Sequence, residues 1–212
     1  MILTAEYLGF SYQALRLFRN LSFQLCSGQV LHLKGANGSG KTTLLEILAG
    51  LRHLQKGHIQ LYDQKKRTLL DIKKNLEYLA AETNGLYLNL NALENYCFWA
   101  KLRGSALSIS EVKEQLATWG FRKDFFLKYL AVEKFSTGMK RRLSLARSFG
   151  SQANLLLLDE PTAGLDEEGC THFQAAVEEC KKQGKMIILV SHDIGSVSHL
   201  IDTTVMLKAI KN

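Results

Sequence analysis

The sequence lacks the features of a membrane-spanning, secreted or disulfide-bonded protein. No apolar run approaches the roughly 20 residues needed to cross a bilayer. The N-terminus carries Glu6 and has neither a basic start nor a long apolar stretch, which argues against a secretion signal. The four cysteines show no metal-ligand spacing, so we expect free and mostly buried thiols. These absences predict a cytosolic protein, unless a membrane-bound partner holds it.

The chain also lacks a surface suited to stacking on bases. Its net charge of +7 would suit nucleic acid or an anionic membrane face. However, the basic residues are spread along the chain apart from the runs 65–67 and 140–142, and no aromatic residues interleave with them. We therefore expect no nucleic-acid partner. With 212 residues, 46% of them hydrophobic, the sequence predicts one domain over residues 1–212.

One stretch, LHLKGANGSGKT at 31–42, predicts a buried strand that runs into a phosphate-binding loop and then a helix. Its last eight residues fit the pattern G-x-x-x-x-G-K-[ST] without a gap. In such a loop, glycines let successive N–H groups converge on phosphate oxygens. Lys41 would reach the β and γ phosphates, and the Thr42 hydroxyl would bind Mg²⁺. The alternative is a glycine-rich turn that binds nothing.

Two apolar stretches end in polar side chains. Four leucines at 155–158 precede Asp159 and Glu160, and the run 185–190 precedes His192. Since buried parallel strands deliver their terminal residues to one edge of a sheet, we expect these groups to meet there. Successive strand residues point in opposite directions, so one acid would hold the water shell of a metal while the other takes a proton from an attacking water.

The N-terminal 30 residues predict antiparallel strands, with Tyr12 in a turn between them. Tyr12 is either an exposed loop aromatic or a ring that stacks on a purine. Residues 76–134 differ in character, because Asn91 with Glu94, and Ser108 with Glu111, form capping boxes that open helices. A helical subdomain is thus predicted within the core at about 84–140.

The inserted region predicts two contacts outside the chain. The first helix of this region carries more aromatic surface, including Phe98 and Trp99, than one face of a helix can bury inside its own domain. The excess suggests that a second partner covers it. Ser136 would cap a further helix, whose N-terminus is a second anion site. A helix end that cannot reach its own chain's nucleotide can reach that of a neighbour.

Taken together, these motifs make the chain resemble the ATP-binding subunits of ABC transporters over essentially its whole length. The family's motifs match Tyr12 for the aromatic on adenine, 35–42 for Walker A, 136–139 for the signature, 155–160 for Walker B, 163–166 for the D-loop and His192 for the switch histidine. The signature departs from L-S-G-G-Q at three positions, Phe135, Thr137 and Met139. Glu82 takes the place of the family's glutamine, which adds negative charge beside the other carboxylates.

The resemblance implies an α/β fold, namely a P-loop NTPase (RecA-like) core with an N-terminal antiparallel β subdomain and an inserted helical subdomain. It implies ATP and Mg²⁺ as cofactors, with catalysis by Glu160, His192 and Lys41 and metal binding by Thr42, Glu82 and Asp159. The implied nucleotide-binding residues are Tyr12, Gly35, Ala36, Asn37, Gly38, Ser39, Gly40, Lys41, Thr42, Thr43, Ser136 and Gly138.

The implied partners are a second copy, paired head to tail around two ATP molecules, and integral membrane transporter subunits at the cytoplasmic face of the inner membrane. Within the family, the Walker A run and short C-terminus are most similar to the ATPase subunit of the haem exporter used in cytochrome c maturation. The alternatives are the ATPase of another ABC exporter, an ABC-type ATPase of DNA repair or translation, and a P-loop kinase.

Overall fold

The structure is a computed structural model that describes residues 1–13, 15–82, 85–123 and 125–208, with the backbone only at 125 and 126. The strands are β1 (Ile2–Tyr12), β2 (Leu15–Cys26), β3 (Val30–Gly35), β4 (Lys56–Asp63), β5 (Thr68–Leu70), β6 (Leu76–Leu79), β7 (Leu155–Asp159), β8 (Met186–Val190) and β9 (Thr203–Leu207). The α-helices are α1 (Lys41–Leu48), α2 (Ala92–Leu102), α3 (Ile109–Ala117), α4 (Thr137–Phe149) and α5 (Glu167–Lys182).

Over these ranges the strands form two sheets. The first is antiparallel with the order β2-β1-β4-β5, and the second is parallel with the order β6-β7-β8-β3-β9. In the parallel sheet β7 lies between β6 and β8, with Leu157 opposite both Tyr78 and Ile188. The predicted α/β fold class is confirmed by this mixture of sheets and by the solved structures compared below.

Two hydrophobic cores explain the continuous leucine run of β7. Leu156 and Leu158 pack into a core with helices α2 to α5, while Leu155 and Leu157 pack into a second core with α1 and the antiparallel sheet. All four side chains are fully buried. Because both faces of the strand are covered, the alternation of polar and apolar residues typical of a half-exposed strand is absent.

The antiparallel sheet is more extensive than the sequence predicts. The antiparallel strands predicted within the first 30 residues form one long hairpin, and Tyr12 is the last residue of β1, paired with Leu15. The expectation that Tyr12 lies in a turn is therefore wrong. Register shifts between Ala5 and Ser11 let the hairpin continue past the point where a regular alternation of side chains ends.

The helices between β6 and β7 begin where their capping residues predict. The Asn91 side chain accepts a hydrogen bond from the Glu94 N–H at 2.9 Å, and the Glu94 carboxylate accepts one from the Asn91 N–H at 3.0 Å. Ser108 and Glu111 form the same reciprocal cap at the start of α3. A single helical turn, Phe125–Tyr129, follows α3. Residue 84, the predicted first residue of the helical subdomain, lies outside the described residues.

Helix α5 and strand β9 have no counterpart in the sequence predictions. The cysteines are free, as expected, but only Cys180 of the four is buried, so the prediction of mostly buried thiols is wrong. The other three lie at a strand end or on partly exposed helix faces. Within the described ranges, no helix is both long enough and apolar enough to span a bilayer.

Candidate functional site

A groove of about 560 Å³ lies where β3, β7 and β8 end at one edge of the parallel sheet. It is lined by Tyr12, Leu15, Leu17, Asn37, Gly38, Gly40, Lys41, Thr42, Thr43, Ala81, Asp159, Glu160, Val190 and His192. The structure thus brings together the predicted loop, the acids after β7 and the histidine after β8. Gly35, Ala36 and Ser39 belong to the same loop but do not line the groove.

The loop between β3 and α1 leaves the start of the helix open to an anion. Gly40, the N-cap residue of α1, has a φ of 96° and provides no side-chain cap, so the first-turn N–H groups of the helix have no side-chain acceptor there. The Lys41 ammonium donates to the carbonyls of Gly35 at 2.8 Å and Ala36 at 3.1 Å. The Lys41 side chain is therefore held against the phosphate loop, where its ammonium would also contact a bound phosphate.

Thr42 and Asp159 form a pair of hard oxygen donors at the floor of the groove. The Thr42 hydroxyl donates to Asp159 Oδ2 at 2.7 Å, and Asp159 is buried. Burial raises the pKa of Asp159, while the hydrogen bond from Thr42 opposes that rise. Hydroxyl and carboxylate oxygens are the ligands that Mg²⁺ prefers, so this donor set fits the ion.

Glu160 has a strained backbone and points its carboxylate at His192. Its φ is 46°, and its N–H donates to the Val190 carbonyl at 2.8 Å. The His192 N–H donates to Glu160 Oε2 at 3.2 Å, and the imidazole Nε2 lies 3.5 Å from Oε1. The carboxylates of Asp159 and Glu160 point in different directions because β7 ends at Asp159 and the chain turns at Glu160. The predicted cause, alternation of side chains along a strand, is therefore wrong.

Tyr12 lines the groove, whereas Glu82 follows its lining residue Ala81 in the chain. Tyr12 is 40% exposed, with the Arg52 guanidinium 5.1 Å from its ring centre. The ring centre of Phe10 lies 5.0 Å from that of Tyr12, in a T-shaped arrangement. Such an exposed, supported ring can stack on a purine. Glu82 is exposed and follows Ala81, the last lining residue of its segment, but does not line the groove itself.

The predicted second anion site lies apart from this groove. Ser136 caps α4 by accepting a hydrogen bond from the Met139 N–H at 3.2 Å, as its sequence position predicts. Neither Ser136 nor Gly138 lines the groove. Ser136 is exposed, so the first turn of α4 is accessible from outside the chain.

Sequence reasoning missed two side chains that support the groove from behind. Arg141 was visible only as part of a basic run, yet it is buried and donates to carbonyls at the end of β7. The spacing of Arg141 from the buried residues Leu145 and Ser148 places it on the inner face of α4. A charged residue on the buried face of a helix is the sequence signal that could have identified Arg141. The second side chain is His32, which is buried with Nε2 3.2 Å from the carbonyl oxygen of Ser191, next to His192.

A parallel sheet with a glycine-rich loop at its carboxyl edge, an open helix start and paired acids defines a P-loop nucleotide-binding domain. The family model for ABC transporters matches residues 18–163, and the chain belongs to that family. It is an ATP-binding domain with ATPase activity.

Curated relatives and solved structures agree with this assignment. The chain is 34% identical over 205 residues to the cytochrome c biogenesis ATP-binding export protein CcmA of Brucella abortus, covering 96% of this chain and 91% of that protein. CcmA of Xylella fastidiosa is 38% identical over 178 residues, covering 80% and 77%. A solved ATP-binding subunit of an ABC transporter superposes with a TM-score of 0.81 at 25% identity, covering 99% of this chain and 88% of that one.

Proposed function

We propose that this chain is the ATP-hydrolysing subunit of an ABC exporter that works with separate membrane subunits in cytochrome c maturation, with haem as the exported cargo. The observation that carries the ATPase mechanism is the meeting of Lys41, the Thr42–Asp159 pair and the Glu160–His192 pair along one sheet edge. The maturation role is supported by the CcmA relatives, which match most of the chain at 34% and 38% identity.

ATP binding starts at the phosphate loop. The N–H groups of the loop and of the first turn of α1 receive the phosphate oxygens, and Lys41 exchanges its carbonyl partners for the β and γ phosphates. Tyr12 stacks on the adenine at the rim. Thr42 and Asp159, together with Glu82, would hold Mg²⁺, which would neutralise charge on the phosphates.

Hydrolysis requires a base placed beside the γ phosphate. Glu160 accepts a proton from water, the water oxygen forms a bond to the γ phosphorus, and the bond to the ADP oxygen breaks, so that ADP and phosphate leave. His192, which touches the Glu160 carboxylate, contacts the γ phosphate and keeps the carboxylate oriented. Lys41 stabilises the negative charge on the transferring phosphoryl group.

A second copy completes the site. Ser136 and Gly138 lie outside their own chain's groove, so in a head-to-tail pair they would contact the γ phosphate held by the partner. Such a pairing is isologous, because each copy supplies the same two halves. Solved ATP-binding cassettes with a similar fold form dimers, one of them in a post-hydrolysis state with ADP and phosphate.

The membrane subunit docks on the helical subdomain, which we place at about 84–140. A groove of about 400 Å³ lies between the segment that follows α1, residues 49–51, and α2, with Trp99 and Arg147 among its lining residues. The Arg147 guanidinium lies 4.4 Å from the ring centre of Trp99, and both side chains donate to the Gly85 carbonyl. Nearby apolar side chains are exposed, among them Leu88 at 50% and Leu102 at 60%. This position would hold the chain at the cytoplasmic face of the membrane.

Co-purification tests this assignment. The tagged chain is isolated from detergent-solubilised membranes of its native host, and the integral membrane proteins that accompany it are identified. We expect transporter subunits, and we expect Leu102→Glu or Trp99→Glu to remove them while ATP binding survives, because a charge there opposes an apolar contact. The matched control is Leu69→Glu, which charges an exposed leucine on β5 in the antiparallel sheet.

Unchanged co-purification of the charged variants would show that the docking site lies elsewhere. A permease of a class unrelated to cytochrome c maturation would refute the haem-export role while leaving the ATPase role intact.

A further inference from the structure

Arg141 is a buried charge whose three guanidinium nitrogens all donate hydrogen bonds. It lies in the second turn of α4 and is 1% exposed. A guanidinium has five N–H donors. Its nitrogens donate to five backbone carbonyls among the described residues, those of Asp159 (2.8 Å), Glu160 (2.6 Å), Pro161 (3.0 Å), Ala80 (2.8 Å) and Ala81 (3.3 Å).

These carbonyls belong to two segments of the nucleotide groove. One segment is the end of β7 with the turn that follows it, and the other leads from β6 to Glu82. The two segments are far apart in sequence, and a single side chain from a third element holds both. Removing that side chain would take one donor from each of these carbonyls, and the loss is costly where the contact is buried, as at Asp159 and Pro161. The Glu160 carbonyl would keep a second donor, the Ala163 N–H at 3.1 Å.

The contact to Glu160 matters most, because the backbone there is strained. A non-glycine residue at a φ of 46° persists only where its surroundings hold it. The Val190 carbonyl accepts from the Glu160 N–H, and Arg141 donates to the Glu160 carbonyl. The peptide groups on both sides of Glu160 are therefore held, which fixes the backbone from which its carboxylate projects toward His192.

Arg141 keeps its charge at neutral pH. Burial lowers its pKa to about 10, while the nearby Asp159 and Glu160 oppose that fall. Hydrogen bonds from a charged donor are stronger than those between neutral groups. Helix α4, which carries Arg141, begins directly after its N-cap Ser136, so Arg141 connects the exposed first turn of the helix to the backbone of Glu160.

We infer that Arg141 is a positioning residue for hydrolysis: it sets the direction of the Glu160 carboxylate and links it to the turn of α4 that contacts the partner's nucleotide. This inference rests on the proposed ATPase dimer. It assigns Arg141 no contact with ATP, so its loss should reduce turnover and leave nucleotide affinity nearly unchanged.

The test compares steady-state turnover and ATP affinity in purified Arg141→Met and Arg141→Lys variants with the unchanged chain. We expect Arg141→Met to lower kcat by about 100-fold or more, since small displacements of a catalytic group have effects of that order. Arg141→Lys retains the charge with fewer donors and should recover part of the rate. The dissociation constant for ATP should change less than about twofold in both variants, because neither removes a nucleotide contact.

Two controls separate positioning from folding. Lys181→Met removes an ammonium that donates at 2.7 Å to the Leu200 carbonyl, far from the groove, and should lower the melting temperature without lowering kcat. In a Glu160→Gln background, Arg141→Lys should cause less than about a twofold further loss, because the two residues act as one unit. Equal losses in the two backgrounds would refute an action through Glu160.

The remaining outcomes are equally decisive. If Arg141→Met does not unfold cooperatively, Arg141→Lys decides: a reduced kcat at unchanged affinity supports the inference, and full turnover overturns it. If the unchanged chain hydrolyses ATP and both variants match it, the inference fails while the proposed function stands. If the unchanged chain, isolated with its membrane partner, hydrolyses no ATP, both fail.

Discussion

The carboxyl edge of the parallel sheet and the first turn of α4 both suit a phosphate, but they are built differently. At the sheet edge, polar groups are bonded to one another across the fold, as in the pairs Thr42–Asp159 and Glu160–His192. At the start of α4, Ser136 is exposed and bonds within its own turn. The first region is thus arranged by tertiary contacts, whereas the second is arranged by local ones.

This difference indicates that the sheet edge and the first turn of α4 have different functions. Dipoles and charges held in place before the reaction can stabilise its transition state without rearranging, so the sheet edge is suited to the chemistry. An exposed helix start is suited to recognising a phosphate presented by another molecule. Variants that affect the two regions should therefore have different signatures.

The largest effect is expected at the sheet edge, from Glu160→Gln. Removing the base should lower turnover by about 10²- to 10⁴-fold, the usual contribution of a general base, while ATP binding persists. Because the closed pair then cannot hydrolyse its ATP, it should accumulate as a dimer. Phosphate release and size-exclusion chromatography with Mg²⁺ and ATP measure the two effects.

The matched control for this variant is Glu179→Gln on α5, which removes a similar charge outside the groove. Near-normal turnover of Glu160→Gln would reject Glu160 as the base, and with it the assignment of the chemistry to the sheet edge.

A smaller effect is expected at the turn of α4, from Gly138→Ala. A Cβ at this position would lie 2.9 Å from the Gly164 carbonyl oxygen, so the turn must shift by a few tenths of an ångström. We expect turnover to fall by about 10- to 100-fold, because the phosphate contact is misplaced. The ATP affinity of the dilute protomer should remain, since Gly138 does not line its own groove.

Gly9→Ala is the control for this second variant, because its Cβ would meet Lys56 at 3.4 Å, an ordinary contact. An equal loss of ATP affinity in the dilute Gly138→Ala protomer would contradict the division between the two regions, since that turn would then serve its own chain's nucleotide.

The smallest effect concerns pH and the support beneath His192. Burial lowers the pKa of His32, so the unfolded chain binds a proton that the folded one resists. The stability contributed by neutral His32 is complete above its ordinary pKa of about 6.5 and is lost as the pH falls below that value. The substitution His32→Gln would keep a donor near the Ser191 carbonyl, and its amide does not titrate.

We therefore expect the melting temperature to fall less in His32→Gln than in the unchanged chain between about pH 7.5 and pH 5.5. If the melting temperatures of the two proteins fall equally as the pH is lowered, His32 does not cause the acid sensitivity of the sheet edge. ATP affinity at neutral pH is the control, and it should match that of the unchanged chain.

Local patterns in the sequence were sufficient for much of this architecture. The capping boxes at Asn91 and Ser108 depend on residues three positions apart, and the structure confirms both. The leucines before Asp159 form the buried strand that their composition predicts. Tyr12 was misplaced because the long hairpin depends on pairing between two strands, which a pattern within one strand does not report.

By itself, the sequence determined the phosphate loop, the two strand ends that carry acids and histidine, and the cap of α4, because each depends on neighbours within a few positions. Only the tertiary structure decided that Glu160 leaves the strand in a left-handed conformation and that a buried arginine from α4 holds its carbonyl. The physical reason is that a buried charge is stabilised by partners distant in sequence, and only the folded chain brings them within hydrogen-bond distance.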